Sequence, residues 1–408
     1  MEVKIEKLDH QARGICFIDG KITFVENTLP GEIADIKIIN QKKKYNEASL
    51  VKMIKISKDR IESKCPHYKE CGGCDLQHIN YNNQLNYKNE KIKDIMKKYA
   101  NIDNVEPIVE SPNQFNYRNK ITLKVQNGLG FYKRRTNSLV LINECLLANN
   151  KINKIIKDLN QINNFKNINE ISIRNINSSK TALTLYLHES SNIDDIQKYS
   201  DKNDIILNTF IEKNHYNIKD ESNILAKLDT FEFIVSPLAF FQVNTEQTLN
   251  LYNKVLEYLD LDGTQNILDL YCGTGTIGIF ASKKAKKVLG IEISKSAIED
   301  AKTNKKINNI SNIDFICGDT EKVIKEINQK FHAIIVDPPR SGLTTSIIKD
   351  IYQIKPEKIV YVSCDPITLA RDLNILKEKY EVLEITPFDM FPNTYHVETV
   401  VKLKRSII

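Results

Sequence analysis

Apolar and polar residues alternate through the first sixty positions, in GICFIDG at 14–20, KITFVEN at 21–27 and the long run 33–57, with a Gly/Pro turn at Leu29–Glu32. Period-two alternation punctuated by turn residues predicts short strands closed into a small β-barrel over residues 1–60. Such barrels often bind RNA, and a purely structural β module is the alternative. Beyond it the pattern becomes mixed. Leu85, Ile92, Ile95 and Met96 recur near helical spacing, whereas ITLKV, LGFYKRR and ALTLYLHE read as strands, so residues 61–235 form an expected central α+β domain. From about residue 244 the texture changes again to strict alternation. NILDLY, KVLGIEI, NIDFICGD, FHAIIVDPP and KIVYVSCDP are apolar strands separated by amphipathic helical segments, and two consecutive strands, YEVLEITPFDMF and HVETVVKLKR, close the chain. That order predicts βαβ units and a largely parallel sheet covered on both faces, a doubly wound, Rossmann-like α/β domain over residues 236–408.

A length of 408 residues agrees with two or three domains. No apolar run approaches the roughly 18 residues of a membrane span, and MEVKIEKLDH lacks the apolar stretch of a signal peptide, so a cytoplasmic protein is expected. Charge is unevenly placed: residues 1–150 hold 25 Lys/Arg against 18 Asp/Glu, a surplus of seven, whereas residues 151–408 hold 33 against 34. A basic first third suits contact with nucleic-acid phosphates, with a solvated basic surface as the alternative. Arg118 and Lys120, and Lys133–Arg135, are interleaved with Tyr117, Phe131 and Tyr132, a pattern that serves phosphate contact with base stacking or, equally, solvated strand edges.

Chemistry concentrates at the ends of the C-terminal strands. After the first comes Asp269-Leu-Tyr-Cys-Gly-Thr-Gly-Thr-Ile-Gly278, whose glycines permit a tight turn and close approach of a ligand to the backbone. Glu292 ends the second strand, where a carboxylate can accept both hydroxyls of a ribose; Asp319 follows the third, where an acid can meet an adenine amino group; Asp337-Pro-Pro-Arg340 follows the fourth. As a bare pattern the loop is G-x-G-x-x-G, so an NAD-dependent oxidoreductase is a rival reading. Asp-Pro-Pro after the fourth strand is instead familiar from S-adenosylmethionine enzymes that modify nucleic-acid bases. The fifth strand ends in Ser363-Cys364-Asp365-Pro366, and the final pair carries Glu398 in an apolar run. A thiol and a carboxylate beside a methyl donor suit methylation of uracil C5. The thiolate adds to C6, the resulting enolate attacks the methyl group through C5, and a base then removes the C5 proton. Cys364 and Glu398 fit these two roles. A separate set, Cys65-x5-Cys71-x2-Cys74 with the distant Cys145, offers four thiolates suited to zinc or to a [4Fe-4S] cluster, which spacing alone does not separate.

Taken together, FFQVN at 240–244, DLYCGTG, GIE, DPPR, SCDP and HVET resemble the RNA uracil-C5 methyltransferase family over nearly the whole chain, and the first sixty residues resemble its TRAM RNA-binding domain. The resemblance implies Cys364 as nucleophile and Glu398 as general base, with Gln242, Tyr271, Thr276, Glu292, Asp319 and Asp337 lining the S-adenosylmethionine pocket. It also implies that Gln242 and Asp337 face the uracil. It favours a [4Fe-4S] cluster on Cys65, Cys71, Cys74 and Cys145, because ribosomal RNA members carry this cysteine pattern. The expected activity is formation of 5-methyluridine in 23S ribosomal RNA by a monomeric enzyme, with transfer RNA methylation or a non-catalytic iron-sulfur RNA-binding protein as alternatives.

Overall fold

The computed structural model describes residues 1–406 apart from 163–164, 178–179, 212–213 and 218–222, and for 214–217 the backbone only. The first six strands are β1 (Glu2–Lys4), β2 (Lys7–Leu8), β3 (Gly14–Ile18), β4 (Lys21–Val25), β5 (Ile33–Gln41) and β6 (Tyr45–Lys55), ordered β1-β5-β6-β4-β3-β2. The opening segment pairs with β5 at one end and with β3 at the other, which closes the sheet into a barrel. Ile5, Cys16, Val25, Ala34, Ile36 and Ala48 fill its interior, the inward half of the sequence alternation.

Helix α1 (Tyr81–Ala100) begins where the Asn80 side chain accepts the Asn83 N–H at 2.9 Å and ends at Asn101, in a left-handed conformation of φ +52°. Its apolar stripe of Ile92, Ile95, Met96 and Ala100 packs into the core of the C-terminal sheet. Full burial of each large side chain contributes about 1.5–3 kcal/mol, so α1 is firmly seated there.

The central elements are β7 (Lys120–Val125), β8 (Leu129–Tyr132), β9 (Leu139–Leu141), α2 (Asn150–Ile162), β10 (Ile168–Arg174), β11 (Thr181–Leu187), α3 (Asp194–Lys202), β12 (Ile205–Ile211) and β13 (Asn214–Asn217). They form a seven-stranded sheet, β13-β12-β11-β10-β7-β8-β9, with its own core around Leu123, Ile156, Ile171 and Leu185. The hairpin β14 (Ile224–Leu228) and β15 (Phe231–Val235) packs elsewhere: Phe231 and Phe233 meet Phe280 in the C-terminal core.

The C-terminal domain alternates α4 (Thr245–Leu259), β16 (Asn266–Leu270), α5 (Thr276–Ser282), β17 (Lys287–Glu292), α6 (Lys295–Ile307), β18 (Ile313–Cys317), α7 (Thr320–Glu326), β19 (Ala333–Val336), α8 (Thr345–Ile354), β20 (Lys358–Ser363), α9 (Pro366–Leu376), β21 (Tyr380–Phe388) and β22 (Glu398–Arg405). Strand order is β18-β17-β16-β19-β20-β22-β21, parallel except for β22, which runs antiparallel to both neighbours. This is the doubly wound α/β sheet that strand and helix alternation predicts. Its order reverses at β16, and the crevice at that reversal is where such sheets bind ligands. No helix among the described residues is long and apolar enough to cross a membrane.

Candidate active site

Four acids meet along the carboxyl edge of this sheet. At the end of β16 the chain turns through Tyr271 at φ +64° and Gly273 at φ +54°. Gly275 follows at φ +79°, and a Cβ there would lie 2.7 Å from the Phe315 ring, so only glycine fits. Thr276 opens α5 and shares a 2.9 Å hydrogen bond with the Tyr252 hydroxyl. Glu292 accepts the Gly273 N–H at 3.2 Å through one carboxylate oxygen and the Ser294 N–H at 2.8 Å through the other, so it is fixed beside the glycine loop. Asp319 is exposed and caps α7, accepting the Glu321 N–H at 2.9 Å. Asp337 stands at the end of β19, and burial raises its pKa to about 7. Asp269, a residue with no role assigned from sequence, is buried in the same cluster. Burial first and the neighbouring Asp337 carboxylate next push it to about 8.

Cys364 is held by its immediate neighbours. The Ser363 hydroxyl accepts the Asp365 N–H at 3.2 Å, and the Asp365 carboxylate caps α9 by accepting the N–H groups of Ile367 and Thr368, each at 3.0 Å. Pro366 occupies the first helical turn, where no N–H is needed. The half-buried thiol therefore sits at a fixed strand-to-helix turn. Burial, then the charges of Glu398 and Asp337, raise its pKa to about 11, and Arg340 acts the other way. Glu398 opens β22 and is buried; desolvation and Asp337 hold its pKa well above the ordinary carboxylate range. A cavity of about 260 Å³ opens on the thiol, with walls from His10, Gln11, Lys91, Arg340, Tyr395 and His396. Gln242 lies in the segment before α4. Its carbonyl accepts from the Asn119 side chain at 2.9 Å, and two residues on, Asn244 donates to the Met390 carbonyl at 3.1 Å. Tyr271, Glu292, Asp319, Asp337, Cys364 and Glu398 thus stand at the strand ends along one edge of the sheet, whereas Gln242 lies outside the sheet, in the segment before α4.

A tRNA (Uracil-5-)-methyltransferase family model matches residues 80–406, and a TRAM domain model matches residues 1–51. The chain belongs to the RNA uracil-C5 methyltransferase family. An uncharacterised RNA methyltransferase of Clostridium tetani is 38% identical, covering 96% of this chain and 93% of its own length. Another from Halalkalibacterium halodurans is 34% identical, covering 99% and 96%. Among solved structures, the Pyrococcus abyssi tRNA (uracil-54, C5)-methyltransferase in complex with S-adenosyl-L-homocysteine is similar at a TM-score of 0.82 and 30% identity, covering 99% of both chains.

In this S-adenosylmethionine-dependent RNA methyltransferase the four expected metal ligands lie on adjoining segments, near enough to feel one another's charge. Cys65, Cys71 and Cys74 lie on the loop before α1, and Cys145 follows β9, where the Asn153 side chain grips its N–H and C=O at 2.9 and 3.0 Å. Gly72 brings the loop against the edge of β8, its N–H donating to the Tyr132 carbonyl at 3.0 Å. Burial is the first cause that raises the thiols of Cys65, Cys71 and Cys74, and each also feels Cys145. Cys74 reaches about 12. Two sulfurs accept N–H hydrogen bonds, Cys71 from Gly73 at 3.4 Å and Cys74 from Gln77 at 3.3 Å. Among the described residues, no three Cys, His, Asp or Glu side chains converge tightly enough for a single metal ion.

The basic residues expected at the RNA surface are largely engaged within the protein. Arg134 pairs with Asp75 and Glu26, Arg135 with Glu26 and Glu47, and Lys133 with Glu70. Tyr117 is buried and donates to the Pro392 carbonyl at 3.0 Å. Alternation and charge gave no sign of these partners, because each pair joins segments far apart in sequence. His10, Gln11, Lys91 and Arg340 were likewise not linked to the thiol by spacing, although Arg340 belongs to the DPPR motif.

Proposed function

We propose that this enzyme methylates uracil C5 in RNA through a covalent adduct on Cys364. The observation that carries the reading is a thiol and a buried carboxylate brought side by side at one sheet edge: Ser363 pairs with Thr399, so Cys364 and Glu398 stand at the ends of adjacent strands and the carboxylate's charge acts on the thiol. The thiolate forms a bond to C6, and the C5=C6 electron pair moves to give an enolate. C5 then forms its bond to the sulfonium methyl, whose old C–S pair stays on sulfur as S-adenosylhomocysteine is produced. Glu398 takes the C5 proton, the C5–H pair restores the double bond, and the C6–S pair returns to Cys364. Glu398 and Asp337 are held toward their neutral forms by burial, and a neighbouring cation would restore their charge. Gln242, Tyr271, Thr276, Glu292, Asp319 and Asp337 would bind the methyl donor, with Gln242 and Asp337 also facing the base.

A [4Fe-4S] cluster on Cys65, Cys71, Cys74 and Cys145 is proposed on the cysteine pattern alone. The thiols feel one another's charge, and those of Cys71 and Cys74 accept N–H bonds. A bound cluster would keep these thiols deprotonated and tie the loop before α1 to the segment after β9. The proposed substrate is 23S ribosomal RNA, on the cysteine pattern, with the cytosol as its compartment. Transfer RNA is the second reading, favoured by the likeness to the Pyrococcus abyssi enzyme. Mass-spectrometric mapping of 5-methyluridine in both RNA classes from a deletion strain tests the assignment. Loss from ribosomal RNA alone supports the first reading, loss from transfer RNA alone the second, and no loss from either contradicts both.

A further inference from the structure

Residues 389–397 join β21 to β22 and lead directly into Glu398, yet the loop makes few ties to the sheet that it serves. Its fixings come from the other end of the chain. Asn393, left-handed at φ +68°, uses every polar group it has: its carbonyl accepts the N–H groups of Asp75 and Leu76 at 2.9 and 3.0 Å. Its N–H donates to Gln84 Oε1 at 3.0 Å, its Oδ1 accepts from Gln84 Nε2 at 3.2 Å, and its Nδ2 donates to the Gln114 carbonyl at 2.8 Å. Two residues on, the Tyr395 N–H donates to the Asp75 carboxylate at 3.3 Å, and Lys91 Nζ donates to the Tyr395 carbonyl at 2.7 Å. Asp75 is in turn held by Arg134 at 2.6 Å, and the same guanidinium binds the Cys74 carbonyl and reaches Glu26 of the barrel. A continuous line of contacts thus runs from the barrel, through the peptide that follows Cys74, to the approach of Glu398.

We infer that Asp75 and Gln84, acting through Asn393 and Tyr395, are positioning residues for proton removal by Glu398, so that the cysteine loop governs the last step of the reaction. The inference rests on the proposed roles of Cys364 and Glu398. Cys364 takes its geometry from Ser363, Asp365 and Pro366, none of which touches the cysteine loop. Tyr395 and His396 also wall the cavity on the thiol, but the strand-to-helix turn that holds Cys364 does not depend on the loop, so loosening residues 389–397 should slow release far more than methyl transfer. A displacement on the order of 1 Å at a catalytic group can slow its step by about 10²-fold.

Asp75→Ala and Gln84→Ala, each in the full-length protein, test this against unmodified ribosomal and transfer RNA transcripts, with wild type and Glu398→Gln alongside. Single-turnover methyl transfer and S-adenosylmethionine affinity should stay within about threefold of wild type, while the methylated protein–RNA complex decays about 10²-fold more slowly. Gln84 lies away from the cysteines, so its variant carries the test if Asp75→Ala fails to fold. Wild-type decay of the complex in the Gln84 variant would overturn the inference, as would equal slowing of transfer and release, the signature of general loosening. Failure of Glu398→Gln itself to accumulate the complex would instead contradict the proposed base.

Discussion

Two short segments deliver the two reacting side chains, and they are built in opposite ways. The Ser363–Pro366 turn is local: a hydroxyl, a helix-capping carboxylate and a proline, all within four residues, fix Cys364. The 389–397 loop is global, pinned by Asp75, Gln84, Lys88, Lys91 and Tyr117 from a region some 300 residues earlier. A nucleophile can be made by one motif, whereas a buried carboxylate needs a surrounding framework to keep it in place against its desolvation. The difference also separates the consequences of mutation, since damage in the first segment should stop chemistry and damage around the second should alter stability or timing.

The largest expected effect is at the local segment. Cys364→Ala should lower turnover by at least about 10⁴-fold while S-adenosylmethionine affinity, read by calorimetry, changes little. Substantial activity in that variant would remove the nucleophile from the scheme.

At the global segment the sharpest change is Lys88→Met. Lys88 and Asp389 are both fully buried and paired at 2.6 Å. Removing the cation leaves Asp389 uncompensated, so denaturant unfolding should show a loss of about 3–5 kcal/mol, and Lys88→Met with Asp389→Leu should recover most of it. A stable single variant would mean that the pair does not anchor the loop.

Acidity gives a third comparison. With the Cys364 thiol raised to about 11, the thiolate fraction grows about tenfold per pH unit below that value. Single-turnover adduct formation should accordingly climb between about pH 7 and pH 9. A flat profile would show that the thiol is deprotonated before RNA binds. The smallest effect belongs to Asp365→Ala, which removes the cap of α9 and should cost about 1 kcal/mol of stability. Its thermal unfolding should shift by only a few degrees, with a larger fall in turnover than in stability because Cys364 is adjacent.

How much of this was legible in the sequence follows the same division. The C-terminal sheet, the glycine loop and the strand-end residues Glu292, Asp319, Asp337 and Cys364 could be read, because strand and helix periodicity and turn chemistry are local. The opening barrel was legible for the same reason. The seat of α1 beneath the C-terminal sheet was not, nor that of the β14–β15 hairpin, since an amphipathic stripe shows that a face is buried but not what buries it. Gln84 and Asn393 are 309 residues apart, and Asp75 and Tyr395 are 320 apart; nothing in either segment marks its partner. Arg134 and Arg135 were read as RNA contacts or solvated edges for a related reason: a basic run carries no record of the acids that fold against it.

The central claim is that Cys364 bonds to the uracil ring and that a base must then free it. Its most direct test is tandem mass spectrometry of the protein after reaction with S-adenosylmethionine and 5-fluorouridine-substituted RNA, in which fluorine replaces the C5 proton that Glu398 would remove. The account predicts a stable cross-link on the peptide containing Cys364, carrying a nucleotide that retains fluorine and has gained a methyl group. A cross-link on a different residue, or none while unsubstituted RNA is still methylated, would contradict it.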